Sequence, residues 1–288
     1  MADFEYDIGI IGGGAAGLTV ASGAAQLGAE TLLIEKEPAL GGDGLHYGCV
    51  TSKTLIHSAR VYHLMKHAER FGLPKVGISA VDFRQIAKRI QRVIATIQHH
   101  DSEERFCGLG AKVLFGNAVF TDEHTIDLEG NRLSAKSWVV ATGSSPVAPP
   151  IPGLHDTTFL TNREIFSLDH LPKSMVILGG GPIGIEMAQA FNRLGTKVTV
   201  VDRADQILGK EDKDMADMVA SVMQDEGVTF FLEASIEEVL ETNGQKSVKI
   251  LDRSGERRVL NPDEILVAMG RAPNVNHMGL EDIGVAYD

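Results

Sequence analysis

The chain has 288 residues, of which 43% are hydrophobic and 23% are charged, and its formal net charge at pH 7 is −12. This composition is typical of a globular protein with enough apolar residues for about two domains. The negative charge argues against a nucleic-acid surface or an anionic membrane surface, because clustered Lys and Arg residues contact both.

The first residues, MADFEYDIGII, lead into a predicted strand without the basic region of a signal peptide. No segment reaches the ~20 unbroken apolar residues that a membrane helix needs. Two cysteines, Cys49 and Cys107, are too few for a disulfide scaffold. We therefore expect a cytoplasmic location, with neither a membrane nor a nucleic acid as partner.

The first predicted elements are a strand, a glycine turn, a helix and a second strand. The turn carries Gly12, Gly14 and Gly17, and the second strand ends at Glu35. Glycines at this spacing between strand and helix, with an acid roughly 20 residues further on, are typical of a dinucleotide-binding fingerprint. In such a fingerprint the pyrophosphate lies at the helix N-terminus and the acid accepts hydrogen bonds from ribose. The alternative is an α/β unit with tight turns and no ligand.

The segment 41–53, GGDGLHYGCVTSK, precedes a predicted helix that begins near Cys49. A helix N-terminus favours negative charge, which suits a reactive thiol, although an isolated cysteine is more often a small buried apolar residue. Lys53 lies one turn further along the same face, where it is either functional or simply exposed. Helical patterns run over 49–70 and 81–107.

Within the first helical pattern, His63 and His67 are four residues apart, a spacing that can hold a metal ion. No pattern of Cys, Asp or Glu near them completes a site. We therefore expect an exposed helix face and no metal.

Alternating strands broken by turns are predicted over 112–128, and the strand at 139–146, VVATGSSP, ends in another glycine turn. A cluster of prolines over 146–152 predicts the crossover to a second domain.

The second half of the chain repeats these elements. Gly179, Gly181 and Gly184 follow an apolar strand, and Asp202 ends the next strand, each at the same offset from its counterpart in the first copy. Alternating strands follow over 228–252. The strand LVAMGRAP then matches VVATGSSP.

The sequence therefore predicts an α/β protein with two Rossmann-like βαβ domains, the second inserted into the first, each with a small antiparallel β-meander. The first predicted domain comprises residues 1–150 and 270–288, and the second comprises residues 151–269.

Several motifs together resemble those of the pyridine nucleotide–disulfide oxidoreductases, in the mercuric reductase and dihydrolipoamide dehydrogenase branch. These are the loop at 41–53, ATGSSP at 141–146, GGGPIGIE at 179–186 and GRAPN at 270–274. The resemblance covers essentially the whole chain. It implies that the first copy binds FAD and the second binds NAD(P)H, with hydride transfer from NAD(P)H to FAD and onward transfer to a small-molecule electron acceptor.

The resemblance also implies site residues. The implied catalytic residues are Cys49, Lys53 and Glu186, with Lys53 paired to Glu186. The implied cofactor-binding residues are Gly12, Gly14, Ala15, Ala16, Gly17, Glu35, Lys36, Gly41, Gly42, Asp43, Lys53, Ala118, Ala141, Thr142, Gly143, Gly179, Gly181, Pro182, Ile183, Gly184, Asp202, Arg203, Ile236, Gly270 and Arg271. Asp202 favours NADH over NADPH because an aspartate repels a 2′-phosphate, and the neighbouring Arg203 works against that preference.

The chain departs from the family pattern at two positions of the loop. Gly44 stands where the family has its second cysteine, and Thr51 stands where it has a proline. A single thiol cannot form an intramolecular disulfide, so the dithiol relay is broken and disulfide reduction is not expected.

The family also continues beyond the match, with a further FAD-contacting segment and a dimerisation domain that supplies a His–Glu acid–base pair. We expect this chain to lack that domain, and a homodimer to form only where the domain is present. His99 and Glu104 share the spacing of the pair but lie outside any matching motif.

Two alternatives remain at this point. The chain is either an active flavoprotein of this family or a truncated, non-catalytic nucleotide-binding fragment of one. A NAD-dependent dehydrogenase without flavin would leave the first copy and the loop at 41–53 unexplained.

Overall fold

A computed structural model describes residues 4–287, which form two units. The first unit comprises the chain up to Val50, the segment Arg92–Ser145 and the residues from Ala272 onward. The second unit comprises Thr51–Gln91 and Pro146–Arg271. The second unit is therefore inserted into the first, as the sequence predicts.

The first unit is built on a six-stranded sheet with the order β3-β2-β1-β6-β5-β4. Its strands are β1 (Tyr6–Ile11), β2 (Thr31–Glu35), β3 (Ala111–Phe115), β4 (Ala118–Phe120), β5 (Thr125–Leu128) and β6 (Asn131–Val140). The first three strands and β6 pair in parallel, whereas β4, β5 and β6 form an antiparallel meander. All five residues of β2 are buried, as expected of a strand in the middle of a parallel sheet.

Helix α1 (Ala15–Gln26) follows β1 and packs small residues against the sheet. Its buried positions are Gly17, Leu18, Ala21 and Ala25. The remaining helices of the N-terminal half are α2 (Gly42–His46), α3 (Cys49–Lys66), α4 (Phe83–Gln98) and α5 (Glu103–Gly108). None of the helices within residues 4–287 has the length and apolar character required to cross a bilayer.

The second unit contains a parallel four-stranded sheet, β10-β9-β8-β14, and a three-stranded antiparallel meander, β11-β12-β13. Its strands are β8 (Ser174–Leu178), β9 (Lys197–Val201), β10 (Thr229–Phe231), β11 (Ser235–Thr242), β12 (Gln245–Leu251), β13 (Arg257–Leu260) and β14 (Glu264–Val267), and its further helices are α6 (Pro182–Leu194) and α7 (Lys213–Asp225). Two short strands, β7 (Ser144–Pro146) and β15 (Arg271–Pro273), pair where the chain passes between the units. Two Rossmann-like units, each with its meander, confirm the predicted fold class.

The predicted domain boundaries and the two units of the structure differ in where they place residues 51–91. These residues lie within the predicted first domain, 1–150, but their contacts group them with the second unit. Phe83 stacks on Phe191 of α6, with ring centroids 5.4 Å apart and both side chains buried. The burial of these two large aromatic rings stabilises the packing of this segment against α6.

The helical pattern over 81–107 forms two helices, and the first of them ends at the polar run that begins with His99, where the sequence also predicts a helix end. The structure has α4 and α5 separated by a turn at residues 99–102. Ser102 is the N-cap of α5, where its Oγ accepts a hydrogen bond from the Arg105 N–H group. A capped helix start satisfies a donor that a continuous helix would pair elsewhere. His99 and Glu104 are both exposed.

Candidate nucleotide and redox sites

The first glycine turn leaves no room for side chains at two of its glycines. Gly12 has a φ of +114°, and a Cβ atom there would lie closer than 3.0 Å to the carbonyl oxygen of Ala141. A Cβ atom on Gly17 would likewise lie closer than 3.0 Å to the carbonyl oxygen of Gly12. The contact at Gly12 lets the turn approach the residues after β6, and the contact at Gly17 lets helix α1 approach the turn, so both positions require glycine.

The start of α1 can receive an anionic group. Gly14 is its N-cap and offers no side-chain cap, and the first turn of the helix carries no acidic residue. Ala15 and Ala16 are exposed in that turn. The first N–H groups of a helix lack intrahelical partners and attract negative charge.

Glu35 is engaged by the turn itself. The residue is only 6% exposed, and its carboxylate accepts hydrogen bonds from the Gly13 N–H at 2.6 Å and from the Glu37 N–H at 2.8 Å. The side chain therefore folds back on the glycine turn and fixes it. The predicted contact of Glu35 with ribose stays a prediction. Lys36 beside it is exposed.

The first two residues of the loop at 41–53 lie directly against the first turn. The Gly41 N–H donates to the Gly13 carbonyl oxygen at 2.8 Å, and a Cβ atom on Gly42 would lie 2.7 Å from the Gly14 Cα. Helix α2 then carries the half-buried Asp43 and Gly44. A Cβ atom on Gly44 would have no neighbour within 4 Å among the residues described, so steric packing does not require glycine there.

Cys49 is the first residue of α3, which confirms the predicted helix start. Its side chain is exposed. Cys107 is also exposed and lies in α5. Both are thiols rather than partners in a disulfide.

The other predicted residues of the first unit fall into two groups. Ala141, Thr142 and Gly143 form the turn after β6, whereas Ala118 is buried in β4 as part of the apolar core. The sequence interpretation missed Asn274, which holds this turn together. Its Nδ2 donates to the Thr142 carbonyl oxygen at 2.9 Å, and its N–H donates to the Gly143 carbonyl oxygen at 2.9 Å. The signal was present, since Asn274 is the last residue of the GRAPN motif.

The second glycine turn repeats this geometry. Gly179 has a φ of +109°, and a Cβ atom on Gly184 would approach the Gly179 carbonyl oxygen closer than 3.0 Å. The Asp202 carboxylate accepts hydrogen bonds from the Gly180 N–H at 2.5 Å and from the Ala204 N–H at 2.8 Å. Asp202 thus has the same relation to its turn as Glu35 has to the first.

A cavity of about 530 Å³ opens in front of this second turn. This volume is within the range of small-molecule sites, about 300–1,000 Å³. The predicted cofactor-binding residues that line it are Gly179, Gly181, Pro182, Ile183, Asp202, Arg203, Gly270 and Arg271. Gly184 is buried behind the turn, and Ile236 packs against the apolar core of the unit. The sequence interpretation missed Asn162 and Gln206, which also line the cavity.

Lys53 and Glu186 form the contact that the sequence predicts. The Lys53 Nζ is 2.6 Å from Oε1 of Glu186, which joins α3 to α6 within the second unit. The side chains are 59% and 35% exposed. Exposed ion pairs contribute only ~0–1 kcal/mol to stability, so this pair matters more for the position of the lysine than for the fold.

A second ion pair joins α6 to the residue that follows α7. Arg193 donates two hydrogen bonds to the Glu226 carboxylate, at 2.8 and 2.5 Å. Burial acts to raise the pKa of Glu226, but the hydrogen bonds and charge of Arg193 outweigh it and lower that pKa. Burial lowers the pKa of His63 on α3, against the opposing charge of Glu226.

The rings of His63 and His67 are 4.4 Å apart. No further Cys, His, Asp or Glu joins them in a metal-binding group within residues 4–287.

Comparisons with known proteins agree with these motifs. Residues 6–288 match the family described as pyridine nucleotide-disulphide oxidoreductase. A mercuric reductase from Bacillus cereus is 30% identical over 98% of this chain and 44% of its own length. A dihydrolipoyl dehydrogenase from Bacillus subtilis is 34% identical over 99% of this chain and 62% of its own length.

Among solved structures, the HOCl-induced flavoprotein disulfide reductase RclA from Escherichia coli has a TM-score of 0.84 and 30% identity, over 98% of this chain and 60% of that chain. The chain thus spans about half to three-fifths of the length of these relatives.

Proposed function

Because the chain belongs to the pyridine nucleotide-disulphide oxidoreductase family, we propose that it binds FAD at the first glycine turn and NADH at the second, and that it transfers two electrons from NADH to a small acceptor. The observation that carries the proposal is the repeated site geometry. In each copy, a glycine turn opens a helix and is fixed by a carboxylate at the end of the next strand.

The residues of the first turn fit a dinucleotide. Gly12, Gly14 and Gly17 keep the backbone accessible, and the exposed start of α1 offers N–H groups to a pyrophosphate. Bound FAD would supply the two-electron carrier between reduced nicotinamide and the acceptor. The chain's part is to hold that group and to set the charges around it.

The cavity at the second turn supports a nicotinamide nucleotide. Its volume suits such a ligand, and Asp202 and Arg203 both line it. We propose NADH rather than NADPH, because the Asp202 carboxylate repels a 2′-phosphate. The measurement is the ratio of the two dissociation constants, and tighter binding of NADPH would contradict this preference.

We assign Cys49, Lys53 and Glu186 to the redox site. Cys49 and Lys53 are four residues apart on α3, so they share one face of the helix. Glu186 fixes the position of the Lys53 ammonium group. In this assignment Lys53 places a positive charge, and Cys49 presents a sulfur atom at a helix start, where negative charge is favoured.

The glycine at position 44 restricts the class of electron acceptor that the protein can reduce. Thiol–disulfide exchange needs an attacking thiolate and a resolving partner, and position 44 provides no thiol. We therefore propose that the acceptor is a quinone, a dye or oxygen, which takes the two electrons together with protons from water. The exposed thiols agree with a reducing compartment such as the cytoplasm.

The first experiment is the visible absorption spectrum of the 288-residue protein before and after anaerobic addition of NADH. We expect a flavin spectrum that NADH bleaches. A protein that remains colourless after incubation with FAD would contradict the proposed FAD binding. A flavin spectrum that NADH leaves unchanged would contradict the proposed electron transfer from NADH.

The Lys53 assignment is tested by Lys53→Met in stopped-flow measurements of flavin reduction. We expect the reduction to slow by about tenfold, because a fixed charge in the site is lost. The free energy of unfolding should change by less than ~1 kcal/mol. Arg60→Met removes an exposed charge from the same helix and should leave the rate unchanged. Equal rates in the two variants would remove Lys53 from the site.

A further inference from the structure

A second cavity, of about 440 Å³, lies between α3 and α4 within the second unit, apart from both glycine turns. We propose that it is a binding site for a small amphipathic carboxylate, whose carboxylate contacts Arg89 and whose apolar part lies along α3.

The cavity has a continuous wall on one side. His57, Val61 and Met65 are spaced four residues apart on α3 and therefore share a face. Ile86 and Arg89 of α4 form the opposite wall, and Leu194 at the end of α6 is a buried residue that lines the base. Three helices thus contribute to one concave surface.

The cavity is polar at one end and apolar at the other. The Arg89 Nη1 donates to the Thr54 carbonyl oxygen at 3.2 Å, near the start of α3, whereas the Tyr62 hydroxyl donates to the Ser79 carbonyl oxygen at 3.1 Å, before α4 begins. The two helices are therefore antiparallel along the cavity. Arg89 therefore lies beside the part of α3 near Thr54, and the lining residues Val61 and Met65 lie further along α3.

The charge of the cavity favours an anion. Among the described residues that line it, none is Asp or Glu, although the chain has 39 acidic residues and a net charge of −12. Arg89 is the one lining residue with a permanent charge. Its guanidinium has five N–H donors, of which the contact with Thr54 uses one. The planar fork of the remaining donors matches a carboxylate.

The apolar end favours a ligand with a hydrocarbon part. Val61 and Met65 are 43% and 42% exposed, so a bound apolar group would remove their surface from water. The volume is within the range of small-molecule sites, about 300–1,000 Å³. One cation at the end of an apolar wall fits a monoanionic amphiphile better than a multiply charged phosphate compound.

The test is isothermal titration calorimetry with sodium octanoate and, as the matched cation, octylammonium chloride. We expect saturable binding of octanoate at one site and no comparable binding of octylammonium. Equal affinity for octanoate and octylammonium would overturn the proposal that Arg89 selects a carboxylate. Failure of octanoate to bind, as expected if a protein segment were the occupant, would overturn the proposal as a whole.

Two variants locate the site. Arg89→Gln should weaken octanoate binding by about tenfold or more, because the charged partner is lost. Lys88→Gln removes the same charge from an exposed neighbouring position of α4 and should bind octanoate as the wild type does.

Arg89→Gln also removes a hydrogen bond to α3, so Val61→Glu serves as a second variant that keeps Arg89. A carboxylate in the wall should repel octanoate and weaken binding to a similar degree. Wild-type affinity in both Arg89→Gln and Val61→Glu would overturn the assigned position.

Discussion

The turn at residues 12–17 and the turn at residues 179–184 use the same set of hydrogen bonds. In each, the N–H group of the second consecutive glycine donates to the carboxylate that ends the next strand. In each, the carbonyl oxygen of that glycine accepts a backbone N–H from the loop after that strand, from Gly41 in the first copy and from Leu208 in the second, both at 2.8 Å.

The copies diverge at the next residue. Gly42 packs on Gly14 so closely that a Cβ atom would lie 2.7 Å from the Gly14 Cα, whereas a Cβ atom on Gly209 would have no neighbour within 4 Å among the described residues. The glycine pattern thus determines the turn, and the loop that follows the second strand determines how much space remains in front of it. In the first copy that loop leads through α2 to Cys49 at the start of α3, and in the second copy it borders an open cavity.

The largest effect is expected where the copies agree. Gly17→Ala and Gly184→Ala each place a Cβ atom against a carbonyl oxygen of the turn, so each should lower the free energy of unfolding by about 3 kcal/mol in urea titrations. Gly17→Ala should lose flavin, and Gly184→Ala should lose NADH binding while it keeps flavin.

Gly23→Ala is the matched control for this pair. Gly23 is in the interior of α1 and its Cβ atom would have no neighbour within 4 Å, so alanine should stabilise the helix by about 0.5–1 kcal/mol. Wild-type stability in Gly17→Ala or Gly184→Ala would show that the close approach of helix and turn is dispensable.

The next largest effect on stability should differ between the two copies. Gly42→Ala should lower the free energy of unfolding by about 2 kcal/mol and weaken flavin binding, because the backbone at Gly14 must move. Gly209→Ala should change stability by less than about 0.5 kcal/mol. Similar costs in both variants would mean that the two loops pack alike.

Loss of the carboxylate should lower the free energy of unfolding more at Glu35 than at Asp202. Glu35→Gln places an amide NH₂ group where a buried carboxylate accepts two N–H donors, and should cost about 1.5 kcal/mol. Asp202→Asn should cost about 1 kcal/mol, since Asp202 is half-buried and water can compensate in part. Thermal unfolding of both variants beside the wild type measures this order, and a reversed order would contradict it.

The smallest effect concerns Leu208, which has a φ of +51° where the first copy has Gly41. Relief of left-handed strain in Leu208→Gly, worth roughly 1–2 kcal/mol, is partly offset by the backbone entropy of glycine, roughly 0.5–1 kcal/mol. We expect a net stabilisation of about 0.5 kcal/mol in urea unfolding. A loss of more than 1 kcal/mol would show that the leucine side chain, and not the backbone, holds this loop.

The sequence was sufficient for features with a local steric cause. The glycine turns, the start of α3 at Cys49 and the repeat of the strands follow from spacing alone, because a glycine required by a close contact leaves a visible pattern. The break at Ser102 was also readable, since serine followed by two glutamates is a helix-start signal.

The association of residues 51–91 with the second unit was not readable in this way. The contact of Phe83 with Phe191 joins positions far apart in the chain, and a single sequence carries no local sign of such a pair. The orientation of Glu35 was hidden for a related reason, because an acid at that position can face either a ribose or its own turn.

The discontinuity of the first unit has a consequence for synthesis. Met278 and Leu280 belong to its apolar core beside Phe120, and the Phe120 N–H donates to the Met278 carbonyl oxygen at 2.8 Å. The ribosome makes these residues only after the whole inserted unit. A nascent chain therefore carries an uncovered apolar core while the second unit is being translated, which makes this interval the period in which aggregation and chaperone binding compete with folding.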